Sequence, residues 1–387
     1  MKVVRLGDVC AQDRQSVKPG ERPELRYIGL ESIESGGGGF VAGDLSKTPE
    51  TPTANSFRFT PEHVLYGKLR PYLNKVALPA FEGKCSTEII PLRPSSDIDR
   101  AYLAYFLRHQ QVVDLISARV AGARMPRADM DLVLSLPIPL PDLAEQRRIV
   151  DLLSRAEGIV RLRREAQAKA QAIIPALFVD MFGDPATNAK GWSKCPLGEL
   201  ICSGPTNGLY KHKSLYGRGT PILRIDAFYS GKIKDPNALK RVELESDIEL
   251  KRFELKQGDI VINRVNSPEY LGKSAIIPEL QEPIVFESNM MRFSVNRARV
   301  LPEFAIAQLQ QPAARNHFLA NAKHAINQSS INQQDVKSLL MIVPPLPAQV
   351  KFVEWSTNAN SILVQQVQAL RTAEQTFVSI LEKLFGR

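Results

Sequence analysis

Five short patterns occur in the first half of the chain and return, in the same order, in the second. Leu6-Gly7-Asp8, in RLGDVC (Arg5–Cys10), returns as Leu197-Gly198-Glu199 in PLGELI (Pro196–Ile201), 191 residues on. Next come LRYIGLESI (Leu25–Ile33) and TPILRIDAF (Thr220–Phe228), whose apolar-polar alternation reads as strand in both copies. EHVLYGKLRPYLNKVAL (Glu62–Leu78) and GDIVINRVNSPEYLGKSAII (Gly258–Ile277) each give strand, basic residue, turn, strand. They align Val64 with Ile260, Lys68 with Arg264 and Lys75 with Lys273. CSTEIIPLRP (Cys85–Pro94) and ESNMMRFSVN (Glu287–Asn296) precede short helical stretches, AYLAYFLR (Ala101–Arg108) and PEFAIAQLQQ (Pro302–Gln311). Last come MDLVLSLPIPLPDLAEQ (Met130–Gln146) and VKSLLMIVPPLPAQ (Val336–Gln349), with Pro141 set against Pro347 at an offset of 206. Chance likeness between two α/β domains does not supply an ordered series, and a long helix follows the fifth pattern both times. The expectation is an internal duplication, α/β in class, with pseudo-twofold symmetry, about 15 residues added in loops of the second copy, and two similar surfaces for a two-part partner.

The two helices carry heptad seams. Asp142 caps the first, with Glu145 at the capping-box position. Apolar or small residues follow at 149, 152, 156, 159, 166, 170, 173 and 177, with Arg163 in the gap. Pro175 is expected to kink the helix or end its straight part, and Gly183 and Pro185 to stop it. The second seam runs Asn360, Leu363, Val367, Leu370, Glu374, Phe377, Leu381, Leu384. The simplest partner for each seam is the other helix, antiparallel under a pseudo-dyad; a dimerisation coiled coil is the alternative. About 35 residues at 1.5 Å rise span roughly 50 Å. The expected organisation is residues 1–142, a helix over 143–182, residues 183–346 and a helix over 347–387.

Composition narrows the partner. A net charge of +9 on 387 residues favours a polyanion, though many basic proteins bind no nucleic acid. The start lacks a signal peptide's apolar core and no run of 18 apolar residues occurs, so a cytoplasmic chain without a membrane span is expected. Cys10, Cys85, Cys195 and Cys202 show no zinc-knuckle spacing and are expected to be reduced.

Catalytic signatures are missing. There is no F-x-G-x-G cofactor loop, no D/N-P-P-Y/F motif, no G-x-S-x-G, no H-E-x-x-H and no P-D…E-x-K. ESGGGG (Glu34–Gly39) lacks the phosphate-loop pattern and reads as a flexible loop. His317 and His324 have no carboxylate beside them, which argues against a metal site. No catalytic, cofactor-binding or metal residue is assigned.

Basic and amide side chains remain. Arginine can bridge two edge atoms of guanine, and asparagine or glutamine those of adenine. The candidates for DNA contact are Lys68, Arg70, Tyr72, Asn74 and Lys75 in the first half, and Asn263, Arg264, Asn266, Tyr270 and Lys273 in the second. Both sets sit at strand-turn-strand junctions; a solvated hairpin is the plain alternative. Arg124 and Arg127 in AGARMPRADM (Ala121–Met130), and Lys323 and Asn327 in NAKHAINQSSINQQD (Asn321–Asp335), occupy corresponding positions and join the list. GPTNGLYKHKSLYGRG (Gly204–Gly219) reads equally well as a DNA-facing loop or a mobile insert.

These marks, together with IPLPDLAEQRRIV (Ile138–Val150) and VPPLPAQ (Val343–Gln349), resemble the specificity subunits of type I restriction-modification systems over essentially the whole chain. The second lead-in departs, reading Ala-Gln-Val after Pro347 in place of an acidic start. The resemblance implies two target recognition domains, each reading half of a bipartite asymmetric DNA site, joined by two helices acting as a coiled-coil spacer. It implies no catalysis in this chain, two partner methyltransferase subunits that hold S-adenosylmethionine and methylate adenine, and a translocase-nuclease subunit for cleavage. The rivals are a self-contained methyltransferase or nuclease, a scaffold indifferent to DNA, and a reader borrowed by another defence system.

Overall fold

The structure is a computed structural model that describes residues 2–41, 43, 53–120, 124–229, 231–325 and 328–386. The chain divides into two units, Met1–Glu165 with Gln368–Arg387, and Ala166–Val367. Both are α/β, and the long helices Leu143–Phe182 and Leu346–Phe385 each run from one unit into the other.

The first unit holds two four-stranded sheets. One has the order Cys10–Gln12, Ile89–Pro94, Val64–Gly67, Val76–Ala77, antiparallel throughout. The strand Val64–Gly67 is buried along its length, which is why it reads as a continuous apolar run. The other has the order Ser16–Val17, Ser56–Phe59, Gly83–Ser86, Arg26–Ile28, its last pair parallel. The helix Arg100–Arg108 covers the first sheet. Asp99 caps it, accepting from the amides of Ala101 and Tyr102 at 2.8 and 3.1 Å, and it buries every residue from Tyr102 to Leu107.

The second unit enlarges this plan. Its main sheet has six strands in the order Ile201–Asn207, Met290–Val295, Ile260–Asn263, Ser274–Ile276, Gly231–Ile233, Phe228–Tyr229. A three-stranded sheet places Tyr216–Leu223 between Lys240–Val242 and Val285–Phe286. The parallel pair Ile222–Leu223 with Val285–Phe286 is the counterpart of Arg26–Ile28 with Gly83–Ser86.

Hydrogen bonds fix the correspondence residue by residue. Leu6 donates its N–H to Leu136 O and Leu197 to Leu339 O, both at 2.8 Å. The repeated glycine is needed for close packing: a Cβ on Gly7 would lie 3.2 Å from Leu134 O, and one on Gly198 3.1 Å from Lys337 Cβ. Asp8 accepts the N–H of Arg5 at 3.2 Å; Pro196 has no N–H to cap, so Glu199 carries no such duty. At the fifth pattern Leu140 donates to Lys2 O and Val343 to Ser193 O, both at 2.8 Å. This puts Pro141 against Pro344, an offset of 203. The expected match of Pro141 with Pro347, and the loop excess of about 15 inferred from it, are corrected accordingly.

Each unit packs a stretch of one long helix with a stretch of the other. In the first unit Ile149 and Leu153 share a core with Leu381 and Phe385, and further along Arg164 Nη2 meets Glu374 Oε1 at 2.8 Å. The two stretches are therefore antiparallel. In the second unit Phe178 and Phe182 pack on Phe352 with ring centroids 5.7 and 5.6 Å apart. The buried stripe of the first helix differs from the expected seam. Ile149 and Ala170 of the expected seam are buried, but so are Leu153, Val160 and Phe178 outside it, whereas Leu152, Ile159 and Ile173 of the seam are exposed. The helix faces its unit's globular core as well as the other helix, and this rotates the stripe off the strict heptad. Helical structure continues through Pro175, because Phe178 and Phe182 anchor the last turns in the core of the second unit; Gly183, at φ +77°, ends it.

Candidate nucleic-acid interface

The first-unit hairpin turns at Pro71–Leu73, with Arg70 and Asn74 both in left-handed backbone at φ 51° and 49°. A second segment is laced onto its base. Lys68 donates its N–H to Glu88 O at 2.9 Å, Ala128 donates to Lys68 O at 2.8 Å, and Arg70 donates to Pro126 O at 2.7 Å. Arg70 and the exposed Arg124 and Met125 are thereby brought onto neighbouring segments, with Tyr72 half exposed at the turn.

The second unit repeats the arrangement. Arg264 donates its N–H to Asn289 O at 2.9 Å and its carbonyl accepts from Ile331 at 2.9 Å. Lys68 and Arg264 thus hold equivalent backbone positions, as do Ala128 and Ile331. Gly67 donates to Lys75 O and Asn263 to Lys273 O, at 2.9 and 2.8 Å, so Lys75 and Lys273 are equivalent too. Val265–Asn266 then pairs with Gln328–Ser330, which pairs with Lys323–Ala325 in a small antiparallel sheet. The corresponding segments of the two halves therefore lie on their respective hairpins.

Not every candidate side chain faces outward. Lys75 Nζ donates to the carbonyls of Leu30 and Ile33 at 2.7 and 2.5 Å, and burial lowers its pKa. Asn74 donates from Nδ2 to Arg108 O at 2.9 Å. Arg127 is exposed, but its guanidinium is engaged, gripping Glu88 with Nε and Nη2 at 2.9–3.1 Å. Asn263 is fully buried. Lys273 sits 5.4 Å from the Phe228 ring centroid and 5.3 Å from that of Tyr270, and burial lowers its pKa, with Lys234 adding to the effect. Arg70, Tyr72, Arg124, Tyr270 and Lys323 are exposed; Lys68, Arg264 and Asn266 are half buried. Asn327 lies outside the described residues. Gly36 and Gly37 donate to Leu73 O and Asn74 O at 2.9 and 2.7 Å, so ESGGGG is docked on the hairpin turn.

Two concavities in the second unit add residues absent from the candidate set. One of about 450 Å³ is lined by Asn207, Arg264, Asn332, Gln333, Gln334 and Lys337. The other, about 920 Å³, is lined by Tyr210, Tyr216, Arg224, Lys240 and other residues of the GPTNGLYKHKSLYGRG loop and its surroundings. That loop is tied down: Lys211 Nζ pairs with Glu245 and Glu249 at 2.7 and 2.9 Å. Among the described residues no group of three or more His, Cys, Asp or Glu is placed to hold a metal ion, and no helix is long and apolar enough to cross a membrane.

Residues 1–171 match the family described as the type I restriction modification DNA specificity domain. The chain is 27% identical to the EcoKI specificity subunit of Escherichia coli (strain K12), over 93% of this chain and 82% of that one. It is 26% identical to the StySPI specificity subunit of Salmonella potsdam, over 93% and 81%. In fold it is similar to a chain solved in a study of complex assembly and conformational transition of the type I R-M system, with TM-score 0.64, 20% identity, and 99% and 97% coverage. It is also similar to the type I S subunit from M. genitalium, with TM-score 0.54, 13% identity, and 99% and 96% coverage.

Proposed function

We propose that the chain is a specificity subunit of a type I restriction-modification system, the non-catalytic reader of a bipartite, asymmetric DNA site. The observation that carries this is the doubled hairpin. One backbone framework, anchored at Lys68 and Arg264, presents Arg70, Tyr72 and Arg124 in the first unit and Asn266, Tyr270 and Lys323 in the second. Equal frameworks with unequal side chains suit two half-sites of different sequence, since base edges are distinguished by donor and acceptor pattern.

The reading assigns the chemistry to partners. Two methyltransferase subunits would bind S-adenosylmethionine and methylate adenine at the site this chain selects, and a translocase-nuclease subunit would join them for cleavage. The long helices would set the gap between half-sites, since adding or removing turns moves and rotates one head along the duplex. Lys75, Asn74, Asn263 and Lys273 would support this face from within, and Arg127 at its surface by holding Glu88.

Adenine methylation mapped across the genome, with and without the gene, tests the reading. Loss of one gapped, two-part, asymmetric methylated motif supports it; an unchanged methylome in cells that express the chain and its neighbouring genes contradicts it and favours the scaffold.

A further inference from the structure

We infer that the concavity beside Arg264 in the second unit is a DNA phosphate site, and that its counterpart in the first unit is not; the inference rests on the DNA-reading function proposed above. The concavity is lined by two cations, Arg264 and Lys337, and four amides, with no carboxylate in the lining. Lys337 makes no ion pair among the described residues. Arg264 donates from one Nη to Ser288 O at 3.1 Å, while its buried Nε has no partner among the described residues. Cationic and amide donors gathered in one concavity suit the oxygens of a phosphate diester.

The duplication supplies an internal comparison. The equivalences of Lys68 with Arg264 and Ala128 with Ile331 place Asp129 against Asn332, Asp131 against Gln334 and Leu134 against Lys337. Asp129 and Asn332 perform the same local task, each capping a short helix: Asp129 Oδ1 accepts from Asp131 N at 2.9 Å, and Asn332 Oδ1 from Gln334 N at 2.7 Å. What differs is the atom left over. Asparagine leaves an N–H donor, aspartate a second carboxylate oxygen. At these three positions the second unit has donors where the first has two carboxylates and a leucine, so one framework welcomes an anion and the other repels it.

The test uses the full chain, purified with its co-expressed methyltransferase subunits, and two DNA duplexes, one carrying the mapped motif and one of random sequence. The variants are Lys337→Leu, which installs the first unit's residue, and Asn332→Asp, which keeps the cap. Each should weaken both duplexes alike, and Lys337→Leu should reduce the slope of log K against log salt by about 0.9, one phosphate's share. Thermal unfolding of Asn332→Asp should match the parent. Unchanged affinity and slope, with the parent still preferring its motif, would overturn the phosphate site and leave the DNA reading standing. A loss confined to one base position of the motif would overturn it in favour of base reading. A parent that does not distinguish the two duplexes would overturn the DNA reading and this site with it.

Discussion

Gln146 Oε1 accepts the backbone N–H of Asp99 at 2.7 Å, joining the first turn of one long helix to the cap of the helix that covers the first sheet. Its Nε2 donates to Asp97 O and Pro141 O at 2.9 and 2.8 Å. Gln349 repeats the triplet with Leu301 N, Arg299 O and Pro344 O at 2.9, 3.1 and 2.8 Å. Both side chains are fully buried. This amide locks each long helix to the globular part of its own unit.

Gln146→Leu removes the side-chain partner of three backbone groups, Asp99 N, Asp97 O and Pro141 O, at about 1–3 kcal/mol for each that water does not reach. Gln146→Glu keeps the acceptor but sets a carboxylate against two carbonyls, and should also destabilise. Denaturant unfolding measures both, with a fall in midpoint expected for each.

Gly7→Ala and Gly198→Ala should each cost about 1–3 kcal/mol, because the added methyl forces the short helix behind it outward. Thermal unfolding should fall more for Gly7→Ala, where the neighbour is the Leu134 carbonyl oxygen, than for Gly198→Ala, where it is first the Lys337 side chain; a neutral Gly7→Ala would contradict the need for glycine there.

Glu287 accepts the N–H of Ile225 at 2.7 Å and pairs with Arg224 at 3.2 Å, yet burial outweighs both and raises its pKa above the ordinary 4.5. The folded state therefore holds this proton more tightly than the unfolded chain. Its contribution is fully present below pH 4.5 and is lost as pH rises through the raised value. Relative to Glu287→Gln, which cannot titrate, the parent should lose stability across that window. Unfolding followed by pH gives the difference.

The duplication was legible because the chain writes it in order, and the hairpin match of Lys68 with Arg264 and Lys75 with Lys273 holds to the residue. Sequence spacing locates a hairpin but not the direction of its side chains. Lys75 looks like a surface lysine until the carbonyls of Leu30 and Ile33 are seen around its amine. The lead-in to the second helix read as a departure because Pro347 was set against Pro141; with Pro344 in that place, Gln349 falls on Gln146. The polar concavity was hidden because Asn207, Arg264 and Lys337 are far apart in sequence and meet only across the folded sheet.

The central claim is that each unit reads its own half of one DNA site. Its most direct test is the methylated motif in cells carrying either Arg70→Ala or Asn266→Ala. Each should relax one position by about 1–3 kcal/mol of discrimination, Arg70→Ala in one half of the motif and Asn266→Ala in the other, with the gap unchanged. If both variants relaxed the same half, or if either altered both halves together, the account of two independent heads would be contradicted.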